Sequence, residues 1–415
     1  MTTRFSAPSV PVQESFGSRV GLWLQGFACE LNRAGYAAMT ARRHIRAAQH
    51  FMHWTDRRGI ATATLNESFV EKFGQYLHRC RCPHCGRSLI RIKTNGARLF
   101  LSYLHDVGVV SATLSKTPTP EPLLVTTFHQ WMRQQRGTCS ATLHSYTFPI
   151  RELLRHIGDD PCRFDAQKLR QFVLKSCRQS GWAAAKKCTT AVRMFLRFLI
   201  AEGRCPAALA AAIPRVAQWR LSSLPRYLQS EDIERIIASC DRATAVGRRD
   251  RAILLLLARL ALRAGDIAML DLKDIDWEQA WIHVSGKGRR HTRLPLTQEV
   301  GDALVAYLQD GRPQIGIDKL FIRSFAPYRA LGSRCTVSAI VARAMRRASV
   351  TCPTRGAAHL LRHSQASSML RQGRSLQEIA EVLRHRSIQT TEIYAKVDVT
   401  SLETITQPWP EVELC

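Results

Sequence analysis

The chain is short of acid. Its 415 residues hold 33 Asp and Glu against 60 Lys and Arg, a formal charge of +27 at neutral pH. Such an excess can merely keep a protein soluble, but carried by a globular chain it more often marks a surface for a polyanion. The apolar fraction of 45% supports packed cores and excludes a purely basic, unfolded tail. Long apolar runs are missing too. The longest, Ala252 to Leu262, is broken by Arg259, and a bilayer span needs about 20 apolar residues. No secretory leader is read at the start, where Met1 to Glu14 is polar and Pro-containing. The 13 Cys are scattered, and only Cys82 and Cys85 form a Cys-x-x-Cys pair in their part of the chain. Without a secretory context, reduced thiols in a cytoplasmic protein are the expectation. What is left is a soluble chain of two or three domains that faces DNA or RNA.

The pattern divides the chain. Residues 1–14 read as disordered, and residues 15–116 as a helical module. Pro118, Pro120 and Pro122 make 117–122 a linker, because alternating Pro cannot continue a helix. Residues 123–206 are helical again, and 214–225 form a second linker. Residues 226–405 read as mainly α with a small β-hairpin or sheet insertion, where Trp281 to Val284 and Thr292 to Leu296 flank a basic, Gly-rich turn. Residues 406–415 are a tail. Ser230 is expected to cap a helix, with Ile233, Ile236, Ile237 and Cys240 as its buried stripe. Ser375 and Glu378 spell a capping box.

The two helical modules repeat one another. Arg98-Leu99-Phe100-Leu101-Ser102-Tyr103-Leu104, closing at Gly108, parallels Arg193-Met194-Phe195-Leu196-Arg197-Phe198-Leu199, closing at Gly203. Thr40 to Met52 likewise parallels Thr142 to Leu154. The first copy is longer between these anchors, and the extra length holds Cys80, Cys82, His84 and Cys85. A structural zinc needs four ligands, usually two such pairs. Either the neighbouring His and Cys complete a compact site or these are ordinary thiols, and the second reading is favoured.

The chemistry-bearing residues lie in the last module. His359 and Arg362 are three apart, which on a helix places them on one face, with His363 following. A His and a forked guanidinium on one face suit a bound phosphate. Arg263 follows the apolar run, Lys287 lies in the hairpin turn, and His385 and Tyr394 come downstream of the box. Each has a bland reading: an Arg favoured by a helix C-terminus, a solvated hairpin Lys, a core His, a half-buried Tyr. Cutting DNA without a metal needs what they offer together. Two Arg stabilise the charge gathered on the phosphate oxygens, a side-chain oxygen attacks, and an acid protonates the leaving 5′ oxygen. No Tyr follows Tyr394, and the nearest before it is Tyr328.

The ordered set Arg263, Lys287, His359-x-x-Arg362, His385, Tyr394 resembles the tyrosine recombinase (phage integrase) family over about the last 180 residues. The resemblance implies a tyrosine recombinase catalytic domain over 226–405, preceded by helical core-binding modules that clamp DNA. It implies a site-specific recombinase that works through a 3′-phosphotyrosine intermediate with Tyr394 as nucleophile, Arg263 and Arg362 as phosphate clamps, Lys287 as general acid, and His359 and His385 assisting. No cofactor and no metal is implied. Double-stranded DNA and a synaptic tetramer are the implied partners, and the tail could dock on a neighbouring protomer. The additional first module points to a mobile-element integrase. Arg289, Arg290 and Arg293 would face the DNA backbone. Two departures stand out: the family's Gly-Leu-Arg with a Glu three residues on is Ala261-Leu262-Arg263 with Asp266, and its Leu-Gly-His is Leu383-Arg384-His385. The alternatives are a non-cutting DNA-binding accessory protein of the same fold, hinted at by Arg384, and a topoisomerase-like nicking-closing enzyme.

Overall fold

The structure, a computed structural model, describes residues 18–80, 89–110, 121–179, 181–214, 224–285, 291–353 and 356–397. The linkers' centres, the Cys82–Cys85 segment, the turn holding Lys287 and the C-terminal tail therefore lie outside the described residues. The chain forms two compact units, one from residues 112–220 and the other from 1–111 together with 221–415.

The first module supplies α1 (Ser18–Arg33), α2 (Ala38–Asp56), α3 (Glu67–Leu77) and α4 (Ile90–Asp106). Apolar residues at helical spacing meet in one core, where Phe27, Phe51, Phe73 and Phe100 are all buried. Helix α4 lies close on α2 because Gly96 carries no side chain. A Cβ there would come within 2.6 Å of the Ala47 Cβ. The unit 112–220 has α5 (Leu123–Arg136), α6 (Ser140–Ile157), α7 (Ala166–Gln179) and α8 (Trp182–Ala201). The two modules share internal detail. Phe27 of α1 meets Phe100 of α4 edge-on at 5.2 Å, and Phe128 of α5 meets Phe195 of α8 edge-on at 5.5 Å. Gly108 and Gly203 leave α4 and α8 in the left-handed region, with φ of +74° and +67°.

The remainder continues with α9 (Ser230–Ala238), α10 (Ala245–Ala258), α11 (Ala264–Met269), α12 (Gln298–Asp310), α13 (Arg334–Arg347), α14 (Ala357–Arg371) and α15 (Leu376–Val382). A three-stranded antiparallel sheet, β1 (Ile275–Asp276), β2 (Trp281–Ser285) and β3 (His291–Pro295), lies between α11 and α12 in the chain. The architecture is thus mainly α with one small sheet. Residues 252–258 of α10 are all buried, as a helix packed on several sides requires, and α9, α12, α13 and α14 surround it. In β2, Ile282 and Val284 point into this core in period-two alternation. Ser230 is the first residue of α9 and Gln229 holds the cap position without a side-chain bond, so the expected Ser230 cap is displaced by one residue. The stripe Ile233, Ile236, Ile237 and Cys240 is buried. Ser375 and Glu378 do form a reciprocal capping box at α15.

Candidate active site

The segment expected to close the apolar helix with Arg263 is built differently. Helix α10 ends at Ala258, and the chain then turns through Ala261, whose φ is +49°. Arg263 occupies the cap position of α11 instead, so the dipole at a helix C-terminus does not explain it. The turn aims the guanidinium across the fold. Its Nη2 donates to the carbonyls of Leu383 at 3.2 Å and Arg384 at 2.9 Å.

Arg362 reaches the same spot from α14. It donates to the carbonyls of Ala261 and Leu383 and is 3% exposed. Burial, with Arg263 and Arg384 close by, brings its pKa down to about 9, which leaves it protonated at neutral pH. Two guanidinia therefore converge on one carbonyl oxygen, that of Leu383. Arg384 adds a third cation. Its φ is +52°, and its Nη2 lies 2.8 Å from the Asp266 carboxylate, which also approaches Arg263 Nη1 at 3.9 Å.

The histidines and the tyrosine stand beside these cations. His359 and His363, four apart on α14, bring their rings to 4.1 Å. Burial lowers the His359 pKa, helped by Arg362 and Arg263. His385 pairs through Nδ1 with Thr391 Oγ1 at 2.8 Å. Burial, then Arg362, Arg263 and His359, push it down to about 4. Tyr394 lies in a 3₁₀ turn, Glu392–Val397, after α15. It is 1% exposed and packs with Ala261, Ala366, Leu370, Ile379 and Leu383. Its Oη lies 2.6 Å from His363 Nδ1. Burial raises the phenol to about 12, partly opposed by Arg362, and depresses His363 to about 4, reinforced by His359, Arg362 and His385. With the neutral imidazole carrying its proton on Nε2, the phenol donates and Nδ1 accepts.

The structure thus gathers Arg263, His359, Arg362, His385 and Tyr394 into one place. Lys287, Arg289 and Arg290 lie outside the described residues. Arg293 is exposed on β3 with its guanidinium 5.6 Å from the Trp281 ring centre. Sequence reasoning assigned no role to His363, Thr391 or Asp266. The signal for His363 was present, since it lies one helical turn beyond His359.

Away from this site, Cys80 Sγ lies 3.6 Å from His50 Nε2 and 3.2 Å from Tyr76 Oη. His50 was not singled out from the sequence. Cys82, His84 and Cys85 lie outside the described residues, among which no three potential metal donors cluster.

Residues 226–400 match the phage integrase family. A Sinorhizobium fredii protein named as an integrase/recombinase, y4rA, is 35% identical over 398 residues, which covers 94% of this chain and 95% of that protein. A Bacillus pumilus protein named tyrosine recombinase XerC is 27% identical over 297 residues, 68% of this chain and 95% of its own length. Among solved structures, a lambda integrase dimer bound to a COC′ core site aligns with a TM-score of 0.51 at 19% identity, covering 70% of this chain and 98% of that one. XerH recombinase bound to its difH substrate before cleavage gives 0.50 at 19% identity, covering 68% and 85%. At these identities the two structures speak for the fold.

Proposed function

Because the chain belongs to the phage integrase family, we propose that it cuts and rejoins DNA through Tyr394 at the site built by Arg263 and Arg362. It is a tyrosine-type site-specific DNA recombinase. In the proposed step, Tyr394 Oη attacks the scissile phosphorus in line. The Oη–P bond forms, the P–O5′ bond breaks, and a 3′-phosphotyrosyl chain and a free 5′ hydroxyl result. One phosphodiester replaces another, so the reverse reaction needs no ATP.

Each residue has a role in this scheme. Arg263 and Arg362 hold the non-bridging oxygens, which gather charge as the fifth bond forms; losing one such donor costs roughly 10²–10³ in rate. Lys287 protonates O5′. His359 and His385 hold the phosphate and stay neutral beside the two guanidinia. The observation that carries the reading is the convergence of Arg263 and Arg362 on the Leu383 carbonyl, because a pair of forks that can share one oxygen can share one phosphate.

The substrate is double-stranded DNA, bound mostly through basic residues and so weakened by salt. Four protomers hold two duplexes and exchange strands in pairs, with residues 1–116 and 123–206 as DNA-clamping modules and 226–405 as the catalytic one. The protein acts in the cytoplasm on a mobile element. The test is covalent trapping. An end-labelled, nicked duplex carrying the element's ends is incubated with the chain, and a protease-sensitive adduct is sought on a denaturing gel. The native chain gives the adduct and Tyr394→Phe gives none. Tight binding by both without an adduct from either would sink the reading.

A further inference from the structure

We propose that His363 is a catalytic residue of this enzyme: its Nδ1 takes the phenolic proton of Tyr394 as Oη bonds to phosphorus. The inference rests on the proposed role of Tyr394 and goes beyond it by naming the base.

The geometry has three parts. His363 Nδ1 and Tyr394 Oη are 2.6 Å apart, within the reach of direct proton transfer. Tyr394 is 1% exposed, so bulk water is a poor acceptor for its proton in this arrangement. The His363 ring is fixed edge-on to His359 at 4.1 Å and lies 5.4 Å from the Tyr394 ring. A base already aimed at the attacking atom loses little freedom in the reaction.

The resting pair is a phenol and a neutral imidazole, and transfer between them alone is steeply uphill. Burial makes it so first, by disfavouring an imidazolium, and His359 and Arg362 on its own helix and His385 from the segment after α15 add to it; Tyr394 faces the ring as its hydrogen-bond partner. A bound phosphodiester eases the electrostatic part of this cost. Its negative charge offsets Arg362, which raises the basicity of His363. Bond formation from Oη to phosphorus meanwhile makes the phenolic proton acidic. The proton therefore moves during attack, not before it. The balance closes: Oη–P forms, P–O5′ breaks, the phenolic proton goes to Nδ1, and a separate acid protonates O5′. On rejoining, the His363 imidazolium returns its proton to Tyr394 as the 5′ hydroxyl attacks.

The test uses the full chain and the same nicked duplex, with two variants checked first for native duplex affinity and unfolding temperature. His363→Asn keeps an acceptor oxygen near the Nδ1 position but cannot carry the proton. His363→Ala leaves room for imidazole. Adduct formation by each is expected to fall about 100-fold or more, within the range for loss of a general base. Added imidazole is expected to restore His363→Ala in proportion to its free-base fraction, and to leave Tyr394→Phe inactive. Either variant reacting within about threefold of native overturns the proposal. So does a faster His363→Ala, which would mean that the imidazole only stores the tyrosine. Slow variants that imidazole does not restore, with an unchanged pH profile, also overturn it. An adduct from native protein that Tyr394→Phe lacks keeps the parent reading standing in all of these cases. No adduct from native protein overturns both.

Discussion

The Arg384 guanidinium and the Asp266 carboxylate meet at 2.8 Å, with their side chains 8% and 9% exposed. These are two of the three positions at which the chain departs from the family pattern, Ala261 being the third, and they lie 118 residues apart. The departures are therefore partners: the carboxylate that accompanies Arg263 is the one that neutralises the additional arginine. Removing one member of a buried pair strands the other, at a cost of roughly 3–5 kcal/mol. Asp266→Asn is expected to destabilise the fold by about 3 kcal/mol on that principle. Arg384→Gly is expected to cost much less, since it also relieves a left-handed residue worth ~1–2 kcal/mol. The double variant should be more stable than the sum of the singles. Urea unfolding of all four proteins measures the coupling, and additive losses would show that the pair is not energetically linked.

Ala261 is the other residue held where glycine is usual. At φ +49° an L side chain is strained by ~1–2 kcal/mol. Against this, its buried methyl packs beside Tyr394 and contributes ~0.8 kcal/mol, and glycine would add ~0.5–1 kcal/mol of chain entropy to the cost of folding. The terms nearly cancel. Ala261→Gly is expected to change stability by less than ~1 kcal/mol. Ala261→Val adds β-branching in the left-handed region and overfills the pocket, and is expected to lose ~2–4 kcal/mol. Thermal unfolding separates the two; a valine variant as stable as the native chain would mean that the turn is not held in that conformation.

These pairs mark the boundary of what could be read from the chain. Helical periodicity placed His359 and Arg362 on one face, and the Ser375–Glu378 spacing announced the start of α15, because both are local patterns within a turn or two. The side of the apolar helix on which Arg263 would sit was not legible. It depends on a single left-handed residue, and Ala does not advertise one as Gly does. The contacts of Arg384 with Asp266, Tyr394 with His363, and Cys80 with His50 span 118, 31 and 30 residues. Tertiary packing makes each of them, and spacing along the chain carries no record of it.

Acid sensitivity follows from the buried histidines. His50, His363 and His385 are each pushed down to about 4 from an ordinary 6.5, mainly by burial. The unfolded chain binds their protons between those two values and the folded chain does not, so stability rises with pH across that window. Their contribution is fully present above about pH 6.5 and is lost as pH falls to about 4. His363 is the most enclosed of the three, and replacing it by Gln is expected to flatten the profile by ~2 kcal/mol over this range. Urea midpoints from pH 7.5 to 4 test this. A native profile flat over that interval would contradict neutral burial of these rings.

If Lys287 supplies the proton to the departing O5′, its removal hurts only because an alkoxide is a poor leaving group. Replacing the bridging 5′ oxygen of the scissile phosphate by sulfur gives a leaving thiolate that needs no proton, because a thiol is acidic near pH 8.5. Lys287→Ala should therefore cleave the oxygen duplex ~10²–10⁴-fold more slowly than native and the sulfur duplex at nearly the native rate. Arg263→Ala and Arg362→Ala should be slow on both, since the charge they stabilise sits on the non-bridging oxygens whatever leaves. His363→Asn should also be slow on both, because the phenolic proton must still be taken. The pattern separates acid, clamp and base in one set of measurements. If sulfur restores none of the four variants, the leaving oxygen is protonated by another group, and Arg289, Arg290 or a histidine of the site must be tried in its place.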